Sequence, residues 1–409
     1  MRHDRFRSAV SPLRRDLAAQ PAVLPPATLP SVDSLIAALR PEEPVHCLRP
    51  AVIAEAAAGF VASFPGDVLY AVKCNPEPAV LRAVWAGGVR HFDCASTAEV
   101  TLVRQMFPDA AIHFMHPVKA RAAIRAAYAT QGVRDFVLDS ADELAKILQE
   151  TGAPDDLGLF VRLALPPGGA VYDLSGKFGA APEQAAELLR AVRPHAARVG
   201  LCFHVGSQCM DPAAWTRALA LAGTVIAQAG VVVEVIDVGG GFPVRYPDLT
   251  PPPLADFMTA IATGFAALNL PGTRMWAEPG RALVAAGGSV VVQVQLRRGD
   301  ALYLNDGVYG SLSDAGAPGF RFPARPLRRG DAPLAEFTLF GPTCDSVDRL
   351  RHTLALPADI AEGDWIEIGQ LGAYGACLRT AFNGFDRARI AEVRDRPLLE
   401  TTTRLAHVA

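Results

Sequence analysis

Four stretches of this chain place reactive side chains directly behind short apolar runs. "VLYAV" leads into Lys73, "GLCFHV" carries His204, "VVEVIDV" runs into Gly239-Gly240-Gly241, and "RMWAE" ends on Glu278 before a Pro-Gly turn and Arg281. Four further runs end near the Cys94-Ala95-Ser96 turn, His116, Asp139 and Arg162. A lysine amine forms Schiff bases with carbonyl compounds. Consecutive glycines let backbone N–H groups approach an anion, and an arginine adds a bidentate phosphate contact. Each feature alone has a plainer reading: a solvated strand-end lysine, a structural histidine, a tight turn between strand and helix. Together, a lysine, an anion cradle and an acid that keeps a pyridine nitrogen protonated are the parts of a pyridoxal phosphate site, with His204 placed to stack on the ring.

Such residues need a scaffold that brings strand ends together. Eight β-prone runs between Val68 and Glu278 ("VLYAV", "VRHFD", "AIHFM", "DFVLD", "LFVRLAL", "GLCFHV", "VVEVIDV", "RMWAE") alternate with helical segments such as "PAVLRAVWAG", "STAEVTLVRQM", "VKARAAIRAAYAT", "SADELAKILQE", "PEQAAELLRAV" and "PAAWTRALALAGTVIAQAG". Eight β-then-α units predict a closed α/β barrel, whose strand ends meet on one rim. The same alternation also permits an open doubly wound sheet. Beyond "AEPGRALVAAGG" the texture changes to strand runs, "SVVVQVQLRR", "ALYLN", "AEFTLF" and "WIEIGQ", between Gly, Pro and Asp clusters. This predicts a second, all-β domain. The Pro-rich "PAVLPPATLPSV" reads as a surface lead-in, and the residues after it, up to His46, as a contribution to that domain. The expected division is residues 49–282 for the barrel, with 1–48 and 283–409 for the β domain.

Composition narrows the partners. Of 409 residues half are hydrophobic and 20% charged, with a net charge of -3, so neither a nucleic-acid footprint nor a polybasic membrane patch is indicated. Seven cysteines, at 47, 74, 94, 202, 209, 344 and 377, are scattered and lack CxxC pairing. That argues against a disulfide framework or a metal site and fits a reducing, cytoplasmic setting. The arginine-rich N-terminus lacks the apolar core of a secretory signal, and a transit peptide is its only targeting reading. No run of about 18 apolar residues occurs.

The motifs carry a resemblance. "YAVKCN" (70–75), "FDCAS" (92–96), "LSGKFGA" (174–180), "FHVGSQ" (203–208), "DVGGGFP" (237–243), "AEPGR" (277–281), "NDGVYGS" (305–311), "GPTCDSVD" (341–348), and "GAY" with "FNGF" (372–385) resemble, in order, the ornithine decarboxylase family. This family of fold type III pyridoxal-phosphate decarboxylases includes lysine and diaminopimelate enzymes and is similar in build to alanine racemase. The resemblance implies that Lys73 binds the cofactor covalently, with Asp93, Glu99 and Arg162 near it. It implies that His204 stacks on the ring, Glu278 pairs with the pyridine nitrogen, and Ser207, Gly240, Gly241, Arg281 and Tyr374 hold the phosphate. It also implies a head-to-tail homodimer in which the neighbouring subunit supplies Cys344, the acid that reprotonates the α-carbon, and Asp345, which meets the distal amine of the substrate. Tyr309 and Phe385 would line the substrate. "GPTCDSVD" belongs to the decarboxylase pattern and not to that of a racemase.

Substrate choice is less determined. Animal-type relatives carry a Tyr-Asp-His element after "DGVYGS", where this chain has "LSDAGAPGFRFPARPL". Asp314 either replaces that acid or is a turn residue. Arg321 and Arg325 either recognise a distal carboxylate, as diaminopimelate or a carboxylated polyamine would present, or lie on the surface. "HVGSQ" in place of "HVGSG", and "FMHPVK" in place of "ANPCK", also depart from the animal type. L-Ornithine, giving putrescine for polyamine synthesis, is the first expectation, and lysine or another diamino acid the next. A modified amino acid stays open, as does a non-catalytic role like that of the antizyme inhibitors, against which Lys73, Glu278 and Cys344 all count.

Overall fold

The computed structural model describes residues 29–166, 170–172, 176–328 and 330–399. Leu174 and Ser175 of "LSGKFGA", most of the Pro-rich lead-in and the final ten residues lie outside the described residues. The barrel is closed, which excludes the open sheet. Its strands, in chain order, are Asp67–Ala71, His91–Cys94, Ala111–Phe114, Asp135–Leu138, Gly158–Arg162, Arg198–Cys202, Val235–Asp237 and Arg274–Ala277. All neighbours are parallel, and the last closes on the first through Trp276↔Asp67 and Ala277↔Val68. Parallel strands covered on both faces need almost continuous apolar residues, and most strand positions here are buried. Leu69, Met115, Val137, Phe160, Cys202, Val235 and Trp276 form one cluster contributed by the strands and the residues just after them, so the barrel is filled and its chemistry is confined to the rim.

Helices follow the strands where sequence punctuation places them. Ser96 accepts from Glu99 N (3.3 Å) while Glu99 Oε2 accepts from Ala95 N (2.7 Å), a reciprocal cap on the helix Thr97–Met106. Ser140 caps Ala141–Thr151 through Glu143 N. Among helices of eight or more described residues, three lie outside the sequence reading: Val32–Leu39, Pro50–Ser63 and Leu254–Ala267. Pro50–Ser63 is apolar nearly all round, so its 3.6-residue period is weak, and Leu254–Ala267 begins directly behind a Pro-Pro-Pro run that reads as loop.

The second sheet has eight strands built around Gly288–Arg298. That long strand pairs antiparallel with Ala301–Leu304, Trp365–Ile368 and, from before the barrel, Val45–Leu48. The strand Arg389–Glu392 then joins Val45–Leu48 in parallel. Both flanks of the barrel sequence therefore meet in one sheet. A buried ionic network ties it down. Arg49 donates to Glu367 Oε1 (2.8 Å), Ser289 Oγ (3.0 Å) and Asp395 Oδ1 (3.0 Å), and Arg325 donates to Glu367 Oε2 (2.8 Å) and to Asp33. Arg325 is thereby committed to structure, and Arg321 lies 3.5 Å from Asp248 at the surface. Among the described residues no helix is long and apolar enough to cross a membrane.

Candidate active site

Lys73 lies in the one-turn 3-10 helix Val72–Cys74 that ends the first barrel strand. Its Nζ donates to Asp93 Oδ2 at 2.5 Å, and its side chain keeps 42% of its surface accessible while Asp93 is fully buried. Burial acts against the lysine charge, but the carboxylates of Asp93 and Glu278 outweigh it and raise the pKa. Lys73 therefore rests as an ammonium whose nearest proton acceptor is Asp93. It faces a cavity of about 790 Å³, also lined by His116, Arg162, His204, Ser207, Gly241, Glu278, Arg281 and Tyr374.

Gly206 N donates to His204 Nδ1 at 3.0 Å, leaving the ring proton on Nε2. Burial and the charges of Arg162 and Lys73 hold its pKa well below the usual histidine range. A neutral imidazole offers a flat face, which suits stacking. Beside it, Glu278 and Asp237 are both buried acids: burial raises Glu278 well above the normal carboxylate range and pushes Asp237 up to about 6. Arg162 lies among these acids and Asp93, whose charges outweigh its burial. Among the described residues no N–H or hydroxyl reaches Glu278 Oε1, Asp237 Oδ2 or Asp93 Oδ1.

These unpaired acceptors test whether the site fits the cofactor. A protonated pyridine nitrogen supplies the donor that Glu278 lacks. For the phosphate, Arg281 Nε is buried without an acceptor. Gly241 has φ 99°, and a Cβ on Gly240 would come within 2.5 Å of Glu278 O and 3.2 Å of His204 Nε2, so only glycine leaves that approach open. Tyr374 sits under the Arg281 guanidinium, 4.9 Å from it, with a left-handed φ of 53°. The residues fit pyridoxal phosphate. Glu99, by contrast, serves as a helix cap and does not line the cavity.

The remaining predicted residues gather elsewhere. Cys344 is exposed, and its N donates to Asn383 Oδ1 at 3.0 Å. Tyr309 OH donates to Asp345 Oδ2 at 2.5 Å, a bond that holds the Asp345 carboxyl below its ordinary pKa. Asp348, buried, shapes this loop by accepting from Val308 N, Thr343 N and Thr343 Oγ1. Phe385 stands 44% exposed, its N donating to Phe382 O at 3.3 Å. None of Cys344, Asp345, Tyr309 or Phe385 lines the Lys73 cavity. One chain thus carries two separate groups of candidate residues.

Arg379 braces the second group, donating to Asp306 Oδ2 (2.6 Å), Ser311 Oγ (2.8 Å) and Phe385 O (3.1 Å). Ser311 Oγ also meets His46 Nε2 at 3.0 Å. Since that oxygen accepts from Arg379, its own proton goes to a neutral His46. Burial, then the Arg379 charge, lowers His46 to about 4. Unfolded histidine binds a proton near pH 6.5, so stability is untouched above that pH and falls as pH drops toward 4, by roughly 3 kcal/mol for this group. Urea midpoints across that window should show this slope in the parent and less of it in His46→Gln; identical slopes would mean that His46 is not held neutral.

Arg379 was not singled out from sequence, whereas Asp237, Asp348 and Asn383 entered it only as members of the motifs "DVGGGFP", "GPTCDSVD" and "FNGF".

A family model described as the pyridoxal-dependent decarboxylase, pyridoxal binding domain, matches residues 51–285. The chain belongs to the pyridoxal-dependent decarboxylases. This decarboxylase is 33% identical to the lysine/ornithine decarboxylase of Selenomonas ruminantium over 81% of its own length and 84% of that protein. It is also 33% identical to the ornithine decarboxylase of Panagrellus redivivus, covering 83% of each. The arginine decarboxylase of Paramecium bursaria Chlorella virus, solved with agmatine bound, superposes with a TM-score of 0.78 at 28% identity, over 88% of this chain and 99% of that one. The barrel with its β domain is therefore the architecture of a pyridoxal-phosphate-dependent amino-acid decarboxylase, and the cofactor expected from Lys73, the glycines and Glu278 is the cofactor of the family.

Proposed function

We propose that this decarboxylase removes the α-carboxyl of a basic diamino acid, L-ornithine before lysine, and does so as a head-to-tail homodimer. The observation that carries the reading is the separation of two incomplete groups. The Lys73 cavity has Glu278 as its lining acid, beside several cations, whereas Asp345 is a charged carboxylate on an exposed loop with Cys344 next to it. A distal ammonium needs such an acid, and exposed Val347, Phe382 and Phe385 around it suit burial against a second copy. Within this reading residues 49–282 form the cofactor-binding unit.

When bound, pyridoxal phosphate supplies the electron sink that makes loss of carbon dioxide feasible. The chain's own residues supply the rest. Lys73 holds the cofactor and passes its proton to Asp93. Glu278, kept protonatable by burial, satisfies the ring nitrogen, and His204 covers the ring as a neutral plate. Arg281, Ser207, Gly240, Gly241 and Tyr374 hold the phosphate, with Arg162 balancing the acids. From the partner copy, Asp345 with Tyr309 and Phe385 orients the distal amine, and the Cys344 thiol delivers a proton to the α-carbon. The test is carbon dioxide release with product mass for ornithine, lysine, arginine and diaminopimelate separately. Putrescine from ornithine at the highest kcat/KM is expected. A higher value for lysine, the reading favoured by the Selenomonas relative, would displace ornithine, and silence on all four would reject a free basic diamino acid.

A further inference from the structure

We propose that Asp314 is a positioning residue for the cofactor phosphate, acting through Arg281 and not through the substrate. The proposal rests on the reading above that Arg281 holds that phosphate. Arg281 opens the short helix Arg281–Val284 behind the barrel's last strand, and Asp314 lies in the one-turn helix Ser313–Ala315 of the β domain. The two are only 7% and 14% exposed, and Arg281 NH2 donates to Asp314 Oδ2 at 2.9 Å. On its other side Arg281 NH1 donates to Tyr246 OH at 2.8 Å. Phe320 and Tyr374 lie 5.0 and 4.9 Å from the guanidinium carbon. Phe320 belongs to the same loop as Asp314, and its N donates to Asp314 O at 2.9 Å. One segment of the β domain therefore supplies both the counter-charge and an aromatic cover.

The guanidinium has five N–H groups, and these bonds direct it without exhausting them. Nε is buried and has no acceptor among the described residues. A buried donor without an acceptor is costly unless a ligand supplies one, and a phosphate oxygen is the acceptor that suits a fixed fork. An arginine side chain left free has rotamer entropy to lose on binding an anion. Here the carboxylate and the tyrosine have already fixed it. Asp314 does not line the Lys73 cavity, and its Oδ2 is already bonded to Arg281.

The test uses cofactor-depleted protein titrated with pyridoxal phosphate, and with pyridoxal, followed by absorbance and intrinsic fluorescence. Asp314→Ala should weaken pyridoxal phosphate binding by about tenfold, the scale of one lost charge-assisted hydrogen bond. Asp314→Asn, which keeps the shape and an acceptor for Arg281, should lose about threefold, and it keeps the test open if the alanine variant does not fold. Pyridoxal binding should change less in both. Unchanged or tighter phosphate-cofactor binding in both variants would overturn the proposal. So would a raised KM for the amino acid at saturating cofactor with normal cofactor affinity, which is the signature of a substrate acid. Arg281→Gln separates the underlying reading: if it does not selectively lose the phosphate form relative to pyridoxal, Arg281 is not the phosphate contact, whatever Asp314 does.

Discussion

Lys73→Ala protein is expected to lose the near-visible absorption band of lysine-bound cofactor and to turn over at least ~10³-fold more slowly, the scale on which a positioned nucleophile and proton carrier is felt. The substitution does two things at once, because it also strips a fully buried Asp93 of its partner at 2.5 Å. Breaking a wholly buried pair costs about 3–5 kcal/mol; the cost here is smaller, since the lysine side chain retains 42% accessibility and water can reach the acid. Lys73→Arg divides the two effects. Arginine preserves the charge beside Asp93 but cannot be deprotonated, so it cannot form the covalent link. The arginine variant should therefore keep near-parental thermal stability, bind cofactor reversibly, and lack both the band and turnover. A normal band in either variant would remove Lys73 from its role. Parental stability in the alanine variant would show that the Asp93 ion pair contributes little to folding.

Why so much of this site was legible follows from the fold. Barrel strands are buried on both faces and read as compact apolar runs, so a polar residue at the end of each, such as Lys73, Arg162 or Glu278, stands out. The barrel then turns eight positions spread over two hundred residues into one rim. What stayed hidden depends on geometry that no local pattern encodes. The Arg281–Asp314 pair joins residues 33 apart across the barrel and the β domain. In sequence Asp314 reads equally as a substrate acid or a turn residue. The neighbouring buried acids Asp237 and Glu278 require two strands to lie side by side. Helix Pro50–Ser63 escaped because its exposed stripe, Ala51, Glu55, Ala58 and Ala62, is mostly alanine and gives the pattern little polar face to set a period.

The exposed thiol gives the last expected result. Cys344→Ala should bind cofactor normally, because Cys344 does not line the Lys73 cavity of its own chain, yet lose roughly 10²-fold or more in faithful amine formation, as removal of a positioned proton donor does. If the thiol acts within its own chain, mixing this variant with Lys73→Ala protein restores nothing, since every chain has one defective part. If it acts across a head-to-tail interface, a mixed dimer contains one site built from the intact Lys73 of one chain and the intact Cys344 of the other, and a second site defective in both. Random reassortment makes half the dimers mixed, so about a quarter of the parental activity should return. The same mixture made with Asp345→Ala in place of Cys344→Ala should complement to a similar extent, because the two residues share one loop. Complementation by neither would place the second group of residues outside the reaction and return Cys344 to the status of an ordinary surface thiol.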